Sequence, residues 1–160
     1  MKKRIIPCLA ALAAFTLCAQ DVSIGKNLTG WVKSKAPNIS FDQTVKVSEN
    51  GSVRMHDGAQ ISRKIALKPA TKYVLSYSVR GENIASENNS GARIMITNGK
   101  RWGRFTTSVT GQPESGTFDW REGKANIDSS VWGTEVTVFF SVSGKGTVWY
   151  DKVSLKEEAK

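Results

Sequence analysis

The side chains in this sequence with chemistry to offer are one histidine, five tryptophans and a scatter of carboxylates. His56 stands beside Asp57, a pairing that could form half of a catalytic dyad but also suits a tight turn, and the turn is the reading adopted here. Asp119, Glu122, Asp128 and Asp151 could in principle pair across strands as the acid and base of glycoside cleavage, yet nothing in their spacing favours it. Zinc-type Cys/His spacing is absent, and so is any calcium loop of alternating acids and glycine. A nucleophile with its base, a paired carboxylate set or a metal cluster is what an enzyme of this size would need. The chain reads as a binder without catalysis.

Binding chemistry is better represented. A flat indole face can stack on the C–H surface of a sugar ring, and guanidinium groups supply directional hydrogen bonds to its hydroxyls. Trp102 follows Asn98-Gly99 and sits among Lys100, Arg101, Gly103 and Arg104, where burial would strand cations away from water. It is either a ligand contact or an idle surface aromatic. Trp149 alternates away from Val148 and Tyr150 and so belongs on a face opposite the core, as a stacking platform or packed beneath a loop. Arg80 and Arg93 occupy the outward phase of their strands. If those strands are neighbours, the two arginines and Trp102 converge on one groove. The candidate carbohydrate-binding residues are therefore Trp102, Arg104, Arg80, Arg93 and Trp149. Trp31 and Trp120 are read as core or sheet-packing residues, and Trp132 as structural.

The elements that must position these residues are strands. Lys72 to Arg80 alternates Tyr73, Leu75, Tyr77 and Val79 against Ser76, Ser78 and Arg80. Thr134 to Val142 repeats the pattern with Val136, Val138, Phe140 and Val142, and Ala92 to Thr97 turns Ile94 and Ile96 inward against Arg93 and Met95. Period-two alternation with β-branched and aromatic residues marks half-buried antiparallel strands. Further strands are expected over Val45 to Ser48, Ser52 to His56, Ile61 to Leu67, Trp102 to Ser108, Gly116 to Arg121 and Thr147 to Leu155. Asn50-Gly51, Asp57-Gly58, Lys68-Pro69, Asn98-Gly99 and Ser143-Gly144 supply turns between them. Glu82 to Ser90 is polar and reads as a long connection, and Lys156 to Lys160 as a fraying tail. About ten short strands and no 3.6-residue apolar period predict an all-β, antiparallel two-sheet β-sandwich.

The N-terminus is expected to be a leader. Lys2, Lys3 and Arg4 precede an apolar run from Ile5 to Phe15, and Leu17-Cys18-Ala19 offers a cleavage site, the pattern of a secretory signal peptide over residues 1–19. A competing lipoprotein reading would acylate Cys18, but Leu17 stands where that route needs a small residue. The remaining segment, 20–160, is one domain, secreted or periplasmic, and nothing in it is apolar enough for a transmembrane segment. Both cysteines, Cys8 and Cys18, fall in the leader, so the core must hold without disulfides. The formal charge is +9, but the leader holds three of the 23 basic residues, leaving 20 against 14 acidic and a net of +6. These charges are dispersed, with no run of five or six. Nucleic acid is not an expected partner, because it would demand a concentrated basic face.

Four segments carry a family likeness: Asn27 to Trp31 (NLTGW), Ile61 to Tyr73 (ISRKIALKPATKY), Gly116 to Arg121 (GTFDWR) and Gly146 to Leu155 (GTVWYDKVSL). In these the sequence resembles carbohydrate-binding modules of the CenC type and, more broadly, the galactose-binding-like jelly rolls. Arg63 departs from the pattern, standing where such modules often carry a glutamine, and the entry segment lacks their frequent acidic residue. The resemblance implies a jelly roll that binds a polysaccharide or glycan without catalysis and requires no cofactor. It also implies that Asp151, which matches a closing-strand aspartate, is the place to look for a structural calcium. The alternative function is a structural or adhesion sandwich that contacts protein or cell envelope and has no sugar site.

Overall fold

A computed structural model describes residues 28–35, 44–48, 51–87, 90–105 and 113–158. Residues 1–27, which include the segment expected to be a leader, lie outside these. The strands are β1 (Val32–Lys35), β2 (Thr44–Val47), β3 (Val53–His56), β4 (Ala59–Ala66), β5 (Lys72–Ile84), β6 (Gly91–Thr97), β7 (Trp102–Phe105), β8 (Gly116–Asp128), β9 (Glu135–Ser143) and β10 (Thr147–Glu157). One helical turn, α1 (Ser129–Trp132), joins β8 to β9. The strands form two five-stranded sheets, a front sheet ordered β1-β4-β9-β6-β7 and a back sheet ordered β2-β3-β10-β5-β8. Their pairings are antiparallel throughout. The fold is an all-β jelly roll.

Alternation puts one set of side chains between the sheets. Tyr73, Leu75, Tyr77, Ile94, Ile96, Val136, Val138, Phe140 and Tyr150 are all buried there, the core expected from their phase. Phe140 is its centre, meeting Trp31 edge-on at 5.4 Å and Tyr150 at 5.0 Å between ring centroids. Tyr150 also ties the layers together. Rising from β10 in the back sheet, its hydroxyl donates toward the carbonyls of Ser141 (3.1 Å) and Arg93 (3.2 Å) in the front sheet.

Several boundaries differ from those expected. Glu82–Ile84 continues β5 instead of opening a loop, because Ile84 is buried while Glu82 and Asn83 face water. A polar stretch with one inward residue reads as a connection but forms a strand end. The Gly116 to Arg121 strand runs on to Asp128, with Ala125 and Ile127 inward and exposed Lys124 and Asn126 outward. It is the edge of the back sheet, where polar outward residues blunt edge-to-edge pairing. The C-terminal segment does not fray from Lys156: Lys156 and Glu157 pair with Val74 and Tyr73, and Glu157 is ion-paired to Lys68. Residues Leu28–Trp31 form a turn ahead of β1. Asp57-Gly58 carries positive φ at both residues (51° and 82°) as a tight turn requires, but passes the chain from the back sheet to the front one.

Candidate functional site

The outer face of the front sheet carries an aromatic pair. Trp102 on β7 is 61% exposed, as expected from its charged neighbours, and its ring lies 5.3 Å from that of Phe139 at an interplanar angle of 34°. Register explains the meeting. Trp102 pairs with Thr97, Thr97 with Thr137, and Phe139 lies two residues along β9, so the rings are diagonal neighbours on one face. Met95 pairs directly with Phe139 and continues the apolar floor. Around it stand Gln60, Ser62, Thr137 and the Lys64–Glu135 ion pair, at 2.7 Å.

The turn and helix beneath fix Trp102 in place. The Asn98 side-chain oxygen accepts the backbone N–H groups of Lys100 (3.1 Å) and Arg101 (2.9 Å), and its amide donates to the Trp132 carbonyl at 3.0 Å. Asp128 caps α1 by accepting from the Ser130 N–H at 2.8 Å, and this turn delivers Trp132 under β7. Trp132 is half-buried against the core, and the Arg101 guanidinium covers its ring at 5.1 Å. Trp132 is structural, as expected.

The expected convergence of Arg80, Arg93 and Trp102 does not occur. Arg93 is on β6 in the front sheet, and Arg80 is on β5 in the back sheet. Both do point outward, but from opposite layers: β5 and β6 follow one another in the chain yet lie in different sheets. Arg93 shares the face of Trp102 from the far end of β6. Its guanidinium donates to the Ser143 hydroxyl at 2.7 Å, which holds it along the sheet. Arg104 pairs through its backbone with Met95 on the same sheet, and its side chain lies outside the described residues. From residue 93 to residue 97 the strand covers about 13 Å, longer than one sugar ring.

Trp149 and Arg80 belong to the outer face of the back sheet. There the Trp149 ring is flanked by the guanidinium of Arg54 at 5.6 Å and that of Arg80 at 4.9 Å. Trp120 also corrects an expectation. It is 41% exposed instead of packed in the core, because the β5–β8 register shifts near Gly81 and leaves Phe118 as the buried aromatic of that segment. Trp31 is buried, as expected.

Asp151 sits at a β-bulge in β10, its carboxylate accepting the Lys152 N–H at 2.7 Å. Among the described residues no group of three or more His, Cys, Asp or Glu could hold a metal ion. His56 contacts Asp57 at 3.3 Å, and Asp57 in turn accepts the Gly146 N–H at 3.1 Å. That network closes a turn. Behind the front sheet, Glu114 is buried and meets Arg121 at 3.2 Å. Burial, and then the Glu114 charge, push the Tyr77 hydroxyl up to about 12. Burial first, and then Tyr77, raise Tyr150 as well. Among the described residues the Tyr77 hydroxyl has no hydrogen-bond partner.

Phe139 was not among the residues singled out from sequence. The signal was present, since in TEVTVFFSV it holds the outward phase next to inward Phe140, among polar Thr137 and Ser141.

No family model matches the chain, and no curated protein matches its sequence. Solved structures do. A CBM4 structure superposes with a TM-score of 0.56 at 13% identity, over 80% of this chain and 86% of the other. The N-terminal cellulose-binding domain of Cellulomonas fimi β-1,4-glucanase C gives 0.53 at 16% identity, over 86% and 98%. The CBM22-1 xylan-binding domain from Paenibacillus barcinonensis gives 0.53 at 12%, over 89% and 95%. The chain has the jelly-roll fold of the carbohydrate-binding modules. Within this CBM-like fold, the Trp102–Phe139 pair occupies the outer face of one sheet and the Arg54–Trp149–Arg80 cluster that of the other. Among the described residues no helix is long and apolar enough to cross a membrane.

Proposed function

We propose that this protein is a secreted, non-catalytic carbohydrate-binding module that holds a neutral glycan chain on the outer face of its front sheet. The observation that carries the reading is the Trp102–Phe139 pair: an exposed indole, braced by a second ring, on a face lined by hydroxyls and an amide. Aromatic planes take the C–H faces of sugar rings, while Gln60, Ser62, Thr137 and Arg93 supply donors and acceptors for their hydroxyls. The fold supports the reading, since structures with this architecture include cellulose- and xylan-binding domains. Secretion rests on the leader pattern of residues 1–19.

Affinity electrophoresis of residues 20–160 against neutral polysaccharides, followed by titration of the best ligand, tests the proposal. Loss of an aromatic anchor removes about 2 kcal/mol or more from binding, so Trp102→Ala should weaken affinity about thirtyfold with an unchanged melt. Because a neutral glycan carries no charge for salt to screen, added salt should leave this binding unchanged. Normal binding by Trp102→Ala would place the site elsewhere. Retardation by no polysaccharide would favour a structural or adhesion module.

A further inference from the structure

The back sheet presents a row of cations that the front-face site does not use. In register across β2, β3, β10 and β5 stand Lys46, Arg54, Trp149 and Arg80. Lys46 and Arg80 are exposed, and Arg54 is half-buried. None of the three cations has a carboxylate within ion-pair distance among the described residues, whereas Lys64, Lys68, Arg121 and Lys152 all do. Trp149 sits between the two arginines with guanidinium carbons at 5.6 and 4.9 Å from its ring.

That arrangement changes what Trp149 can do. With guanidinium groups already on its ring, it is a poor platform for sugar stacking and a good brace for the arginines. Guanidinium groups held over an indole keep their N–H edges free, and a fork already in position loses little freedom when it closes on a carboxylate. Arg54 and Arg80 lie two strands apart, about 9.5 Å. The row is narrow. Glu82 lies on β5 beside it and Asp151 on β10, two positions beyond Trp149. Duplex nucleic acid, with a charge every 1.7 Å or so, needs a broader basic surface than one row bounded by carboxylates. A chain with widely spaced carboxylates fits it better.

We infer that the Lys46–Arg54–Trp149–Arg80 row is a second glycan site, distinct from the front face, that takes an acidic polysaccharide through its uronate carboxylates. The bonds are charge-assisted pairs between each guanidinium and a carboxylate. This site does not depend on the Trp102 reading, and the two can fail separately.

The experiment titrates residues 20–160 with oligogalacturonate, as wild type, as the Arg54→Gln/Arg80→Gln double variant, as the Arg54→Lys/Arg80→Lys double variant and as Trp102→Ala. The Gln variant should lose about tenfold or more in affinity, given two charge-assisted contacts. The Lys variant should recover part of that, and Trp102→Ala should bind as wild type. Raising salt from 0.1 to 1 M, which shortens the screening length from about 10 to about 3 Å, should weaken the wild type steeply. Thermal melts of all four should coincide. Wild-type affinity in the Gln variant, or loss in Trp102→Ala, would overturn the second site. Equal or tighter binding of duplex DNA or phosphatidylserine vesicles through the same arginines would overturn the uronate assignment. Absence of any neutral ligand would remove the front-face reading and leave this one standing.

Discussion

Gly103 gives Trp132 the space it occupies: a methyl group on that glycine would fall 2.7 Å from the indole and 3.2 Å from Ile96. The glycine lies on the inner side of β7, next to Trp102 on the outer side, so the strand carries its exposed aromatic over a half-buried one. Gly103→Ala should push β7 off Trp132. Overpacking of this kind costs about 1–3 kcal/mol, and the displaced strand should pull Trp102 from Phe139. The expected outcome is a lower melting temperature together with weaker binding of neutral glycan, in a protein that still folds. Near-ultraviolet circular dichroism reads the tryptophan environment directly. An unchanged spectrum with full affinity would show that β7 absorbs the methyl without moving.

Core positions were legible because the phase of a strand assigns each side chain to a face. Tyr73 to Val79 and Val136 to Val142 needed only that alternation. Where a bulge intervenes, the phase is lost. Near Gly81 the register with β8 slips, and Trp120, read as a core or sheet-packing residue, turns to water while Phe118 is buried. Sheet membership was not legible at all. Arg80 and Arg93 are both outward, and nothing local says that β5 and β6 lie in different layers, since that depends on which strands pair across long separations. Phe139 was readable by phase, but its partnership with Trp102 depends on β6 pairing with both β7 and β9. The site was thus half visible: one ring from its charged surroundings, the other only from the sheet.

Phe140 and Trp120 should respond oppositely to truncation. Phe140 is fully buried between Trp31 and Tyr150, so Phe140→Ala leaves a cavity and should cost about 3–5 kcal/mol, much of a marginal domain's stability. Trp120 at 41% exposure should change stability by about 0.5 kcal/mol or less when replaced by Ala, as surface substitutions do. Urea unfolding of the two variants, compared at constant m-value, checks both. A large shift in midpoint for Trp120→Ala would mean that its indole packs more tightly than its exposure implies.

Tyr77 offers a test through pH. Its hydroxyl is buried without a hydrogen-bond partner among the described residues, so Tyr77→Phe removes an unsatisfied polar group and keeps the ring. An unsatisfied buried hydroxyl costs about 1–3 kcal/mol, and the variant should therefore be more stable than wild type near neutral pH. The direction at high pH follows from the hydroxyl being pushed up to about 12 by burial and by Glu114, above the ordinary value of 10.0. Above pH 10 the unfolded chain releases this proton while the folded chain keeps it, which favours the unfolded state. Wild-type stability should then fall as pH rises from about 10 to about 12, with two units corresponding to roughly 2–3 kcal/mol. Phenylalanine has no proton to lose. Tyr150 is raised by burial and then by Tyr77, so the difference between the two proteins reads the Tyr77 hydroxyl together with its coupling to Tyr150. The stability gap in favour of Tyr77→Phe should widen through that window, read by urea unfolding at stepped pH. A gap that stays constant would mean that the Tyr77 hydroxyl ionises as readily in the folded protein as in the unfolded chain.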